Sequence, residues 1–238
     1  EHVLEFHNRD QFDVICYDNT RKPDAASDRL RAWPASWQRV FKVSTDAIVK
    51  QIRDDGVDVL VDLSGHTGFN LMPVFALKPA PVQLTWLYRT TTGVAAIDYH
   101  VTDSSVDPPA ESNAGYIEAA MRIEPSQWCY RPSPLAAQIT PLPMLTNRHV
   151  TIGSFNQFDK LSERTLKVWA RILLRLPTAK LLMLGVPRGE CRARFIETQK
   201  ALGVDPKRLE LHGNVERDQY YEFIARADFA LDPFPYNG

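Results

Sequence analysis

Short apolar runs of β type alternate with segments of helical period along this chain, and that alternation restricts its fold more than any other feature. Strand candidates fall at residues 12–17, 57–63, 82–87 and 97–102. Between the first two, a helix is predicted over 44–55, with Ser44 as N-cap, Ile48 and Ile52 on one face, and Gly56 as its stop. Strand, helix, strand is the repeating unit of a parallel sheet. The rhythm lapses over 125–143, where Pro125, Pro132, Pro134, Pro141 and Pro143 interrupt any period, and it then resumes. Strands are predicted at 150–155, 180–184, 208–211 and 228–231, and helices at 162–176, 190–202 and 216–227. In the first of these helices Leu166, Trp169, Ile172, Leu173 and Leu176 form one broad apolar face, which makes Trp169 a core residue.

The expected fold is therefore α/β, with two Rossmann-like parallel α/β domains facing a cleft. The predicted boundaries are 1–124 for a partial first lobe, 125–147 for a proline-rich connection and 148–238 for a partial second lobe. Residues 1–6 read as the last turns of a helix without a capping signal, and the chain stops at Asn237-Gly238 just after a strand. The expectation is of a catalytic region cut short at both ends and inactive in isolation.

Composition removes several function classes. With 238 residues, 44% of them hydrophobic, the chain has enough apolar material for two cores. A net charge of -1, from 28 basic and 29 acidic residues, supplies no field for nucleic acid or an anionic membrane, so neither is an expected partner. No apolar run reaches the roughly 18 residues of a membrane span, and a cytoplasmic location is expected. Cys16, Cys129 and Cys191 have no metal-ligand spacing and cannot all pair, which predicts buried thiols in a reducing compartment. There is no GxGxxG, no Walker A sequence and no internal repeat.

The candidate site follows from where strands end, since open α/β sheets present ligands at their carboxyl edges. The strand ending at Phe155 opens into Asn156-Gln157-Phe158-Asp159-Lys160, and a helix starts at Ser162, so loop amides and a cation converge where a phosphate can sit. In the first lobe Asp62, His66 and Thr67 follow one strand, and Thr91, Thr92 and Gly93 follow another. Histidine is the side-chain type suited to proton transfer near neutral pH, yet a lone loop histidine such as His66 is more often a hydrogen-bonding residue than a base. Asp62 reads as a strand-end carboxylate binding loop amides.

Three stretches resemble the catalytic region of the O-GlcNAc transferase and SPINDLY family, glycosyltransferase family 41, especially its bacterial members. They are residues 61–103, with the block FALKPAPVQLTW; residues 153–162, GSFNQFDKLS; and residues 208–238, ending DPFPYNG. The resemblance implies a GT-B fold and an inverting transfer of a sugar, GlcNAc from UDP-GlcNAc, to serine or threonine of a protein acceptor. It implies no cofactor and no metal, and a helical-repeat region in the parent chain. Gln157 and Lys160 match positions that contact the donor diphosphate, with Lys160 neutralising the leaving phosphate. Val215, Arg217 and Tyr220 match positions framing the nucleotide base, and Asn237 and Gly238 form the turn before a phosphate-facing helix. His66, Thr67, Thr91, Thr92 and Gly93 lie on the acceptor and sugar side. The loop after Trp86 reads LYRTTTG and departs from the family pattern. GDP-fucose as donor, or a noncatalytic binding module on the same fold, remain open alternatives.

Overall fold

The computed structural model describes residues 1–88, 90–109, 115–132 and 139–237. It divides into two compact units, Glu1–Arg131 and Pro132–Gly238. The division falls inside the proline-rich stretch. Its first residues are anchored in the N-terminal unit, where Gln127 is 3% exposed and its carbonyl accepts from Trp86 Nε1 at 3.1 Å.

The N-terminal unit runs α1 (His2–Phe6), β1 (Ile15–Asp18), α2 (Ala25–Leu30), β2 (Ser36–Arg39), α3 (Thr45–Asp54), β3 (Val59–Asp62), α4 (Met72–Ala76), β4 (Val82–Thr85), β5 (Tyr99–Thr102) and β6 (Ala119–Arg122). β1 and β2 form a parallel pair, and β3-β4-β5-β6 form a separate four-stranded parallel sheet in that order. α3 forms where the pattern predicts: the Ser44 hydroxyl accepts from the Ala47 amide at 3.4 Å, and Gly56 takes φ +65° just past the end. Its buried stripe, Ile48, Val49 and Ile52, packs with Leu60, Val74 and Phe75. β1 starts later than predicted because the amides of Gln11 and Phe12 are still turned back on the Asn8 carbonyl.

Cross-strand register separates the two faces of the four-stranded sheet. Leu60, Asp62, Gln83, Thr85, His100 and Thr102 are all buried on one face. On the other face Val59, Val61, Tyr99 and Met121 are exposed, while Leu84 and Val101 in the middle strands are buried.

The C-terminal unit runs α5 (Met144–Asn147), β7 (Thr151–Ser154), a 3-10 turn at Phe158–Lys160, α6 (Glu163–Arg175), β8 (Lys180–Met183), α7 (Glu190–Ala201), a second 3-10 turn at Pro206–Arg208, β9 (Leu209–Leu211), α8 (Arg217–Ala225) and β10 (Phe229–Ala230). Its sheet is parallel, in the order β10-β7-β8-β9. All four residues of β7 and the last three of β8 are buried, as expected for central parallel strands covered on both faces. Trp169 of α6 is 3% exposed and packs with Ile152, Leu173, Leu181 and Phe195. Both units are thus Rossmann-like parallel α/β structures, as the sequence rhythm indicates.

The cysteines differ from expectation. Cys129 and Cys191 are exposed and Cys16 is half-buried. Cys129 lies beyond β6, outside the sheet, and Cys191 sits in the first turn of α7, one turn before burial begins at Phe195. Among the described residues, no helix is long and apolar enough to cross a membrane.

Candidate functional site

In the N-terminal unit the loops at the carboxyl ends of β3 and β4 are held by carboxylates. Asp62 ends β3 and is 3% exposed. Its oxygens accept from the amides of Ser64 and Gly65, both at 3.0 Å at closest, and from the Thr85 hydroxyl at 2.8 Å. It is an anchor for the turn, consistent with the short-range amide binding of a strand-end aspartate. The Tyr88 ring lies so close to Gly65 that a Cβ there would meet it at 2.4 Å, and Gly65 also takes φ +50°. The altered loop after Trp86 is thereby packed onto the β3 loop.

His66 is exposed, and its Nε2 lies 3.1 Å from the Thr91 carbonyl. A carbonyl only accepts, so Nε2 carries the hydrogen of this bond, and in the neutral ring Nδ1 is the acceptor. Thr67 closes its own turn, donating to the Ser64 carbonyl at 2.7 Å. The Thr91 hydroxyl donates to Glu118 at 2.8 Å, the Thr92 amide donates to the same carboxylate at 2.7 Å, and the Thr92 hydroxyl is bonded to it too. Gly93 follows at φ +68° with open space around it. Thr91 is half-buried and Thr92 buried, so their hydroxyls are turned inward to Glu118.

Glu118 itself is 2% exposed. Burial pushes its carboxyl up, but the hydrogen bonds from Thr92 and Thr91, with its own backbone, outweigh this and hold it below the usual carboxylate range. Asp103, at the end of β5, is likewise held low, chiefly by the backbone amides of Gln127 and Val106. Sequence reasoning missed Glu118: it immediately precedes β6, a strand with no clear alternation.

In the C-terminal unit the loops after β7 and β10 pair along the sheet edge. Asn156 donates to Asp232 at 2.6 Å. The half-buried Lys160 donates from Nζ to the Asn237 carbonyl at 3.0 Å, and its ammonium lies 4.8 Å from the centroid of the Tyr236 ring. Ser162, the N-cap of α6, accepts from the Thr165 amide at 3.2 Å and donates to the Phe234 carbonyl at 2.8 Å. Thr165 closes the group, its hydroxyl donating to that carbonyl at 3.0 Å and accepting from the Phe234 amide at 3.0 Å. The structure thus brings Lys160 and Asn237 into contact; Gly238 lies outside the described residues.

Gln157 is exposed at the start of the 3-10 turn, and its side chain makes no hydrogen bond among the described residues. Tyr220 meets Phe155, at the end of β7, edge-on at 6.0 Å, and Tyr221 at 5.8 Å. Burial, and then the neighbouring Tyr221, raise its phenol. Val215 is half-buried and Arg217 exposed at the start of α8, which opens at Glu216 without a side-chain cap. The missed members here are Thr165 and Phe234, and the second bond of Ser162. The N-cap was legible; its second bond, to a carbonyl some 70 residues away in sequence, carries no local signal.

Chemically, the C-terminal edge offers one ammonium, an uncapped helix start and an aromatic side chain. The N-terminal edge offers the His66 imidazole and glycine backbone, its threonine hydroxyls being already bonded within the loops. Among the described residues, no group of three or more His, Cys, Asp or Glu side chains can hold a metal ion.

Comparison with known proteins gives concordant results. A family model described as Glycosyl transferase family 41 matches residues 1–124. The chain is 37% identical, over its full length, to a Petunia hybrida protein named "Probable UDP-N-acetylglucosamine--peptide N-acetylglucosaminyltransferase SPINDLY", and 36% identical to the Arabidopsis thaliana protein of that name. It spans about a quarter of these relatives, 26% and 27% of their lengths. Among solved structures, a mutant of the Thermobaculum terrenum O-GlcNAc transferase superposes with a TM-score of 0.91 at 35% identity, over 99% of this chain and 45% of that one.

Proposed function

The chain belongs to glycosyl transferase family 41, and from that premise we propose that the protein transfers GlcNAc from UDP-GlcNAc to a serine or threonine hydroxyl of a polypeptide. The observation that carries this reading is the position of Lys160. Its ammonium lies at the carboxyl edge of the C-terminal sheet, held by the Asn237 carbonyl rather than by a carboxylate. A hydrogen bond to a neutral carbonyl leaves its full charge for an anion.

In the proposed reaction the acceptor hydroxyl oxygen forms a bond to the anomeric carbon from the face opposite the diphosphate, inverting that centre, and its proton is released to solvent. The bond to the phosphate oxygen breaks, and its electron pair leaves with the nucleoside diphosphate. Negative charge grows on the leaving group, so a fixed ammonium stabilises the transition state more than the bound donor. Lys160 fills the place a divalent metal takes elsewhere. Gln157 and Asn237 sit beside it on the diphosphate, while Tyr220, Val215 and Arg217 frame the base, the tyrosine offering a flat face. On the N-terminal unit, His66, Thr67 and the backbone of Thr91, Thr92 and Gly93 receive the acceptor and the sugar.

The test is transfer from labelled UDP-GlcNAc and GDP-fucose to serine- and threonine-containing peptides, with competition by UDP and GDP. UDP competition with GlcNAc transfer is expected. GDP competition with fucose transfer would replace the donor in this reading, and nucleotide binding without transfer to any peptide would make the protein a binding module.

A further inference from the structure

The N-terminal unit contains a 370 Å³ cavity, lined by residues following β1, β2 and β3 and by Ile48 of α3 and Val74 of α4. Phe41 and Phe69 contribute its aromatic walls, their ring centroids 6.4 Å apart and their planes at 66°. Phe69 is 64% exposed, and Asn19 Nδ2 holds its carbonyl at 2.7 Å. Two residues of the lining adopt left-handed backbone without being glycine, Lys42 at φ +67° and Phe69 at φ +64°. Such conformations persist only where the surroundings enforce them, and they gather at ligand-binding positions.

Cations surround the two rings. Arg39 and Lys42 lie 5.5 and 5.7 Å from the Phe41 centroid, and Arg21 lies 6.0 Å from that of Phe69. Arg39 is answered by Asp18 at 2.8 Å. Asp18 is also approached by Arg31, at 3.8 Å, so its charge is already shared. Arg21 and Lys42 have no carboxylate within ion-pair distance among the described residues. An apolar cavity with unanswered cations at its mouth fits an apolar side chain adjacent to a carboxylate. Phe69 lies three residues after His66 on the loop that follows β3, so a polypeptide seated against His66 has this cavity within a few residues' reach.

We propose that this cavity is a specificity subsite for the acceptor polypeptide, taking an apolar side chain between Phe41 and Phe69 while a neighbouring aspartate or glutamate lies against Arg21 and Lys42. The inference rests on the reading that a polypeptide is the acceptor. Charge at such a rim governs selection more than total affinity.

The experiment uses two acceptor peptides identical except for a flanking leucine-aspartate or leucine-lysine pair, with the full protein and its Lys42→Glu, Arg21→Glu and Phe69→Ala variants. Wild type is expected to show the lower KM for the acidic peptide, by about tenfold, with the preference shrinking as salt is added. Lys42→Glu should reverse that preference with kcat and the donor KM unchanged, and Phe69→Ala should raise KM for both peptides. An unchanged KM ratio in both charge-reversal variants overturns the subsite, as does a shift confined to the donor KM. Anisotropy of the labelled peptides separates the two readings. Acidic-peptide binding that Lys42→Glu abolishes, without transfer, supports the subsite and counts against the transferase reading, whereas transfer with no charge selectivity does the reverse.

Discussion

In the N-terminal unit the candidate loops are fastened from beneath by buried carboxylates: Asp62 and Glu118 accept from loop amides and threonine hydroxyls, with little polar capacity left facing out. In the C-terminal unit the equivalent loops are fastened to each other, by Asn156 to the Asp232 carboxylate and otherwise through neutral carbonyls, Asn237 receiving Lys160 and Phe234 receiving Ser162 and Thr165. The first arrangement spends its charges on structure, and the second leaves a cation free for a ligand. Two sheets of the same parallel kind thus offer different chemistry at the same edge: buried anchoring in one and, in the proposed reaction, charge stabilisation in the other.

The sharpest way to break this contrast is Lys160→Ala, measured in the protein that carries this chain. If the cation serves the leaving diphosphate, turnover falls by about 100- to 1000-fold, the usual loss for one preorganised donor, while the melting temperature barely moves. Lys160→Arg should restore only part, because a planar fork does not reproduce a compact ammonium. Near-normal turnover in Lys160→Ala, or a loss that merely tracks stability, would reduce the lysine to a surface residue.

Glu118→Ala should do the opposite, with its main effect on stability. It leaves the Thr91 and Thr92 hydroxyls and the Thr92 amide without their acceptor, at about 1–3 kcal/mol for a buried group left unsatisfied. The pH dependence follows from the depressed carboxyl. A group whose folded value lies below its unfolded one contributes fully above the unfolded value of about 4.3, and the contribution is lost as pH falls through the folded value. Wild type should therefore lose stability on acidification below about pH 4.3, and Glu118→Gln should flatten that part of the curve. Denaturant titrations from pH 7 to pH 3 read both effects, and equal slopes in wild type and Glu118→Gln would remove Glu118 as the anchor.

The same contrast explains what could be read from sequence. Elements with a period of their own were legible: α3 with its Ser44 cap, α6 with the Trp169 stripe, the half-exposed strand β3 and the buried strands β7 and β8. β2 and β6 were not, because SWQR and AAMR hold no β-branched residue and exist through pairing with β1 and β5. At the site, Lys160 and His66 were found because they follow recognisable strands. Glu118 and Phe234 stayed hidden because their roles arise from contacts 26 and about 70 residues away in sequence. That Thr92 turns its hydroxyl inward could not be read from a run of three threonines.

The smallest expected difference is also the most discriminating, since it compares one substitution in both units. Ser44 and Ser162 are each the N-cap of a long helix, accepting from the amides of Ala47 and Thr165. Replacing either with alanine should lower stability by about 1 kcal/mol, seen as similar shifts of the denaturation midpoint. Among the described residues Ser162 alone of the two has further bonds, to the Thr165 hydroxyl and to the Phe234 carbonyl in the loop that carries Tyr236 and Asn237 to Lys160. Ser162→Ala should therefore also weaken UDP binding by a few-fold, the scale of one neutral hydrogen bond, whereas Ser44→Ala leaves it unchanged. Ser162→Thr keeps both the acceptor and the donor and should restore affinity. Matched UDP affinities in Ser44→Ala and Ser162→Ala would show that the β10 loop stands without its serine, and that the carbonyl linkage between the two loops has no part in holding the donor.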